Sequence, residues 1–112
     1  MILTIEELRK MMIDIGFEKI YLVEEEPNCV VYIGIYKGKE IIVTIFKGIS
    51  AVYAKMIPAD LLPTPNWHCH YIKYSPIGWY IFSSSISDLV MRLGKKLSKI
   101  IELKYSYNSL IN

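Results

Sequence analysis

Hydrophobic residues recur with a helical period near the two ends of the chain and with a period of two in between. In the first stretch the apolar positions spaced for one helix face are Ile5, Leu8, Met12 and Ile15. Thr4 and Glu7 have the spacing of a capping box ahead of this stretch, and Gly16 follows it as a stop. The pattern predicts a first helix over about residues 5 to 15.

After Gly16, β-branched and aromatic residues dominate short segments that are separated by turn residues. The segments typical of strands are EKIYLVEEE, CVVYIGIYKG, KEIIVTIFKG and GISAVYAKMI. They predict four consecutive antiparallel strands, with a hairpin at Gly38 and an end at Pro58. Three prolines within residues 58 to 66 then predict an ordered loop, with at most one helical turn near Asp60.

The last third of the chain predicts one more hairpin and a long helix. WHCHYIKY and GWYIFSSS have the composition of two strands joined across SPIG. The terminal segment carries an apolar stripe at helical spacing, formed by Ile86, Leu89, Val90, Leu93, Leu97, Ile100 and Ile101. Ser85 or Ser87 would cap this helix, and Asp88 suits its positive end.

The order of these elements predicts one α+β domain that spans residues 1–112. The expected architecture is a single antiparallel sheet of about five to six strands, with the N-terminal and C-terminal helices packed on one face.

Both faces of the central strands are apolar, and this predicts that each face is covered. The two alternating sets in the second strand are Val31, Ile33 and Ile35, and Val30, Tyr32 and Tyr36. Two helices cover one face only, so a second copy of the chain is the expected cover for the other face. The candidate interface residues are Tyr32, Tyr36, Tyr71 and Trp79.

Composition predicts a folded, soluble protein. Hydrophobic residues make up 53% of the 112 residues, and the formal net charge of +2 is too small to indicate nucleic-acid binding by itself. No signal-peptide pattern and no apolar run of about 18 to 20 residues is found, so a cytoplasmic protein without membrane contact is expected. Glutamine is absent while Ile, Lys and Tyr are abundant, which hints at a thermophilic archaeon or one of its viruses, or at codon bias alone.

Cys29 and Cys69 stand alone, in no paired spacing. For an intracellular protein the favoured interpretation is two free, buried thiols. A disulfide between them is the alternative, provided that the strands carrying the two residues are neighbours.

His68 and His70 flank Cys69 and are the two histidines of the chain. On a strand both imidazoles would point to the same side, as two ligands of one metal ion do. A third ligand would have to come from Cys29, Asp60 or the run Glu24–Glu26. Histidines hydrogen-bonded at a sheet edge or interface are the favoured interpretation, a pH-sensitive contact is another, and no cofactor is expected.

The terminal helix carries a basic stripe of Arg92, Lys95, Lys96 and Lys99. Such a stripe can contact phosphates, although it is also typical of a solvated helix face. Aromatic residues for base stacking are plentiful, but they lie in predicted strands, where core or interface positions are more common.

No phosphate loop, nucleophile motif or zinc-protease motif is present, so an enzyme is not the favoured interpretation. The leading hypothesis is a non-enzymatic, homodimeric accessory protein that binds a protein partner through an apolar, Tyr-rich sheet face or edge. The first alternative is a small nucleic-acid-associated regulator that uses the basic helix. The second alternative is a metal-dependent enzyme at His68 and His70.

Overall fold

The computed structural model describes the backbone of residues 5–61 and 67–111 and the side chains of residues 6–61 and 67–99. Its helices are α1 (Ile5–Asp14), α2 (Cys69–Tyr74) and α3 (Ile86–Ile111), with one 3-10 turn at Ala59–Leu61. Its strands are β1 (Phe17–Glu26), β2 (Cys29–Tyr36), β3 (Lys39–Lys47), β4 (Val52–Pro58) and β5 (Trp79–Ser83).

The five strands form one open antiparallel sheet in the order β1-β2-β3-β4-β5. The β2–β3 hairpin turns through Lys37 and Gly38, whose φ angles of 49° and 78° match the left-handed backbone of a two-residue hairpin turn. The predicted α+β fold, its antiparallel sheet and the hairpin at Gly38 are therefore confirmed.

The segment WHCHYIKY was predicted as a strand, and that prediction is wrong, because residues 69 to 74 form α2. The N–H of Ile72 donates to the carbonyl of His68 at 2.9 Å, as in a helical turn. Cys69 and Ile72 are the buried residues of this helix, and their spacing of three is helical. The partner of β5 is β4 instead, and the sheet has five strands, within the predicted range of five to six.

The first face of the sheet carries the main hydrophobic core, which packs against α1 and α3 as predicted. Helix α1 contributes Leu8 and Met12 to this first-face core, and α3 contributes an apolar stripe. That stripe is formed by Leu89, Val90, Leu93 and Leu97 among the described side chains. Ile100 and Ile101, which the sequence pattern adds to it, lie outside the described side chains.

The second face of the sheet is partly covered by the chain itself. A smaller apolar cluster joins β2, β3 and β4 to α2, and consists of Cys29, Val31, Ile42, Phe46, Ile57, Cys69 and Ile72. A disulfide links Cys29 to Cys69, with the two Cα atoms 6.5 Å apart. The favoured interpretation of two free thiols is therefore wrong, and the disulfide connects a strand to a helix rather than two neighbouring strands.

The described part of the chain contains no helix that combines the length and the apolar character needed to cross a bilayer.

Candidate functional site

Five aromatic side chains form a connected group on the second face of the sheet and at the end of α2, and Phe46 is the buried member of this group. We define this aromatic patch as Phe46, Tyr53, Tyr74, Tyr80 and Phe82. The rings of Phe46 and Tyr53 stack with centroids 5.2 Å apart, and Tyr53 meets Phe82 edge-on at 5.1 Å. Tyr80 and Phe82 follow at 6.2 Å, within the range of favourable aromatic pairs.

The alternation of side chains in β5 creates the exposed part of this patch. Trp79 and Ile81 contact the first-face core, so Tyr80 and Phe82 point to the second face. Phe82 is 56% exposed and Tyr80 is 43% exposed. Helix α2 packs mainly on β2 and β3 and meets β5 at the Tyr80 hydroxyl, so a large part of both rings stays exposed.

Helix α2 borders the patch, and its Lys73 side chain contacts two of the aromatic rings. Its Nζ lies 5.0 Å from the ring centroid of Phe46 and 5.6 Å from that of Tyr74. The hydroxyl of Tyr80 donates to the carbonyl of Lys73. The patch therefore runs from the sheet onto the end of α2, where Tyr74 is 75% exposed.

Two buried polar side chains lie opposite each other beneath the patch. Lys55 is fully buried, its Nζ donates to the carbonyl of Ser75, and it lies 4.7 Å from the ring centroid of Tyr80. Thr44 pairs with Lys55 across β3 and β4, and its buried hydroxyl has no hydrogen-bond partner among the described residues. Lys55 thus links β4 to the segment between α2 and β5.

Gly78 allows that segment to approach β4 closely. Its φ of 111° lies in the left-handed region, and an added Cβ would come within 2.6 Å of Ile57 Cγ1. No larger residue fits without moving the segment away from the sheet. The turn before β5 is therefore held against β4 both by this close approach and by Lys55.

The four residues predicted at the interface do not lie together on this surface. Tyr32 and Tyr36 are 1% and 5% exposed in the first-face core, and Trp79 packs against the same core. Burial, with smaller contributions from nearby acidic residues, raises the pKa of Tyr32 to about 12, so its hydroxyl stays neutral. Tyr71 lies on α2 and is 49% exposed.

A contact surface on the second face therefore has to use residues other than Tyr32, Tyr36 and Trp79. The sequence does indicate that Tyr80 and Phe82 share one face of β5, because they alternate with Trp79 and Ile81. Which of the two sets faced the helices could not be read from the alternation alone.

His68 and His70 lie at the start of α2 rather than on a strand. His68 Nδ1 is 3.2 Å from Glu24 Oε2, and both histidines are exposed. Cys69 is in the disulfide and is therefore no thiolate ligand. Within the described residues, no three side chains of His, Cys, Asp or Glu come together in an arrangement that holds a metal ion.

Glu24 serves instead as a cap for α2 that comes from a distant strand. Its Oε2 accepts a hydrogen bond from the backbone N–H of Cys69 at 3.2 Å, at the same oxygen that meets His68. Desolvation raises the pKa of Glu24, but the hydrogen bond from the Cys69 N–H and the side-chain interactions with His68 and Glu26 outweigh it, and the pKa lies below its ordinary value. The carboxylate thus stabilises the first turn of α2.

This contact predicts a pH-dependent stability. Because the folded pKa of Glu24 is lowered, its contribution to stability is fully present above the ordinary glutamate pKa of 4.5 and is lost as the pH falls through the folded pKa. We expect Glu24→Gln to lower the free energy of unfolding by about 1 kcal/mol near neutral pH, and the difference from wild type to shrink in acid. Urea unfolding across this pH range measures it.

Glu18→Gln, an exposed change on the same strand, is the matched control and should leave the urea midpoint unchanged. A Glu24→Gln protein with the wild-type midpoint at every pH would show that Glu24 does not hold α2.

The basic stripe lies on α3 and therefore over the first face of the sheet, opposite the aromatic patch. Lys95, Lys96 and Lys99 are exposed. Arg92 is already paired, because its Nε donates to Asp88 Oδ2 at 2.7 Å. Ser83 donates to the same oxygen, also at 2.7 Å, and these two bonds hold the pKa of Asp88 below its ordinary value. Among the described side chains, no ion pair is found for the other three cations of the stripe.

A concavity of about 490 Å³ lies between the β3–β4 loop and the start of α3. Met11, Ile49, Val52 and Ile86 contribute apolar side chains, and its other lining residues are mainly serines. Among the described residues that line it, Lys47 is the titratable one, and these residues include no acid–base or nucleophile–base pair.

Comparisons of this chain with protein-family models, with curated proteins and with solved structures find no match.

Proposed function

We propose that this protein is a non-enzymatic, homodimeric interaction module that binds a protein partner through the aromatic patch. The observation that carries the proposal is the exposure of Tyr74, Tyr80 and Phe82 on one continuous surface. Tyr and Phe are enriched in the buried centres of protein interfaces, where a few large anchors supply most of the binding energy. The partner surface is expected to present apolar and aromatic side chains.

The distribution of charge supports a protein partner over a nucleic acid. Base stacking on the patch would need exposed cations beside it for the phosphates, whereas the two lysines that contact the patch rings are half-buried Lys73 and fully buried Lys55. Lys95, Lys96 and Lys99 lie on α3, across the thickness of the sheet. A single-stranded nucleic acid cannot stack its bases on the aromatic rings and also place its phosphates along the basic stripe of α3.

A cytoplasmic location and a thermophilic archaeal or viral source belong to the same proposal. The buried disulfide supports the source, because intracellular proteins of hyperthermophilic archaea are an exception to the rule that cytosolic cysteines stay reduced.

Selection from a displayed library of random peptides tests the proposed function. We expect wild-type protein to enrich peptides with apolar and aromatic residues. The Phe82→Lys substitution should lower the affinity for a selected synthetic peptide about 30-fold, as loss of an aromatic anchor does. Tyr21→Lys is the matched control, because Tyr21 is 53% exposed on the opposite edge strand. It should bind as wild type does.

Two results would contradict this function. Full peptide affinity in the Phe82→Lys protein would remove the patch from the contact. Retention on a DNA column that is lost with Lys95→Glu and Lys96→Glu would instead favour the nucleic-acid alternative, since phosphate contacts depend on these cations and weaken steeply with salt.

A further inference from the structure

The two edges of the open sheet differ in how well they are protected against pairing. Strand β1 carries register shifts between Phe17 and Lys19 and between Leu22 and Glu24. It also carries Glu18 near one end and Glu24–Glu26 at the other. Bulges and charges of this kind protect an edge strand from adding another strand.

Strand β5 has none of these protections. Its sequence WYIFS contains no charged residue and no proline, and it pairs with β4 without a register shift. No further strand flanks it among the residues that the structure describes. A regular, uncharged edge with two exposed aromatic rings is suited to strand addition.

We propose that β5 pairs antiparallel with β5 of a second copy, around a two-fold axis at Ile81. This inference rests on the proposed homodimer and specifies how it forms. The register places Ile81 opposite its own copy and Tyr80 opposite Phe82 of the other chain, and it pairs all five residues of the strand.

Charge favours this edge over the other for self-association. Strand β1 carries Glu18 and Glu24–Glu26 against the single cation Lys19, so the same two-fold pairing would bring together two strands that each have a net negative charge. In β5 the opposed side chains are Tyr80 and Phe82 on the second face, and on the first face Ile81 opposes its own copy and Trp79 opposes Ser83. Aromatic cross-strand pairs are favourable in antiparallel sheets.

The paired edges would join the two sheets and bring both aromatic patches onto one surface. A partner protein then contacts a patch of twice the area, because two-fold pairing keeps the second faces of both sheets on the same side. The dimer is thus the form that presents the complete binding surface.

The size of the contact sets the expected affinity. Tyr80 and Phe82 are about half exposed, and cross-strand pairing covers ring edges while the outward ring faces stay open to a partner, so each ring loses less than about 100 Å². Such an edge contact falls well short of the about 800 Å² per partner of a standard interface, so the dimer should dissociate at tens of micromolar or above. Sedimentation equilibrium over a concentration series should therefore give a mass that rises from the 13.0 kDa of one chain toward twice that value.

Disulfide crosslinking tests the register, with Tyr80→Cys and Phe82→Cys prepared as separate proteins. Opposed residues have Cα atoms about 4.5 to 5.5 Å apart, within disulfide reach. We therefore expect crosslinked dimers in a mixture of the two variants and little crosslinking of either alone, because the diagonal neighbours lie about 7 to 8 Å apart. Tyr21→Cys mixed with Val23→Cys is the matched control on β1 and should stay uncrosslinked.

Phe82→Lys provides a second readout, since it places charge beside the axis without entering a core. It should shift the mass toward the monomer, whereas Tyr21→Lys should not. A wild-type protein that remains monomeric throughout the series would overturn both the homodimer and the β5 pairing. A dimer that fails to crosslink in the mixture, or that crosslinks through β1, would overturn the β5 pairing and leave the homodimer standing.

Discussion

Removal of the Cys29–Cys69 disulfide is expected to lower the free energy of unfolding by about 4 kcal/mol, because the link closes a long loop of the unfolded chain. The two cysteines are 40 residues apart in sequence. Breaking the link restores that loop's conformational freedom in the unfolded state. The variant Cys29→Ala/Cys69→Ala avoids placing new hydroxyl groups in the buried cluster. Urea unfolding under non-reducing conditions measures the difference from wild type.

Reduced wild-type protein is the natural control and should unfold at nearly the same urea concentration as the double variant. Thiol titration of the unfolded, unreduced wild type should find no free thiol. Two free thiols, or a variant within about 1 kcal/mol of wild type, would show that the disulfide does not form or does not stabilise the fold.

The loss of stability in the variant without the disulfide should be greater in α2 than in the central strands. Helix α2 has six residues, too few for a stable helix without tertiary contacts. Its remaining connections to the sheet include the packing of Ile72 and the Glu24 contact with Cys69 N–H. Hydrogen exchange in the double variant should therefore rise first in α2, while β2 and β3 stay protected beneath α1 and α3.

The main lines of the fold could be predicted because they follow from local periodicity. The apolar residues have a clear helical period in α1 and at the start of α3, and a clear period of two in β1 to β4. The turn at Gly38 has its own residue signature. Because the segments that connect consecutive strands are short, consecutive strands pair with each other and few topologies are possible.

The error at residues 69 to 74 shows where local patterns fail. CHYIKY is short and rich in aromatic and β-branched residues, so its composition favours a strand. Its helical form is held by contacts with residues far away in sequence, namely Cys29 through the disulfide and Glu24 through the Cys69 N–H. Tertiary contacts of this kind override weak propensities in a segment of six residues.

The candidate site could be predicted only in part from the sequence, because it too depends on contacts between distant residues. The ion pair between Asp88 and Arg92 is an i, i+4 pair that sequence spacing can predict, and it weakens the basic stripe. The aromatic patch instead brings together β3, β4, β5 and α2, and Phe46 and Phe82 meet in it only after the sheet forms. The face of β2 that meets the helices was equally undetermined, which is why Tyr32 was predicted at an interface.

Lys55 was not predicted to be buried, because a lysine in a strand is ordinarily exposed to solvent. Its side chain fills space beneath the aromatic patch, and its amino group bonds the Ser75 carbonyl and lies over the Tyr80 ring. Truncation would therefore remove packed methylene groups and also leave a carbonyl without its donor. The two effects can be separated by substitutions of different size.

Lys55→Ala is expected to lower the free energy of unfolding by about 3 to 4 kcal/mol, the sum of a core-type cavity and a lost hydrogen bond. Lys55→Met keeps most of the volume and should cost about 1 to 2 kcal/mol, because the bond to the Ser75 carbonyl and the contact of the amino group with the Tyr80 ring are lost. Lys47→Ala, at an exposed lysine of the neighbouring strand, should stay within about 0.5 kcal/mol of wild type. If Lys55→Met is as damaging as Lys55→Ala, the hydrogen bond rather than the packing fixes the segment before β5. If both variants match wild type, Lys55 does not hold the turn from which Tyr80 and Phe82 are presented.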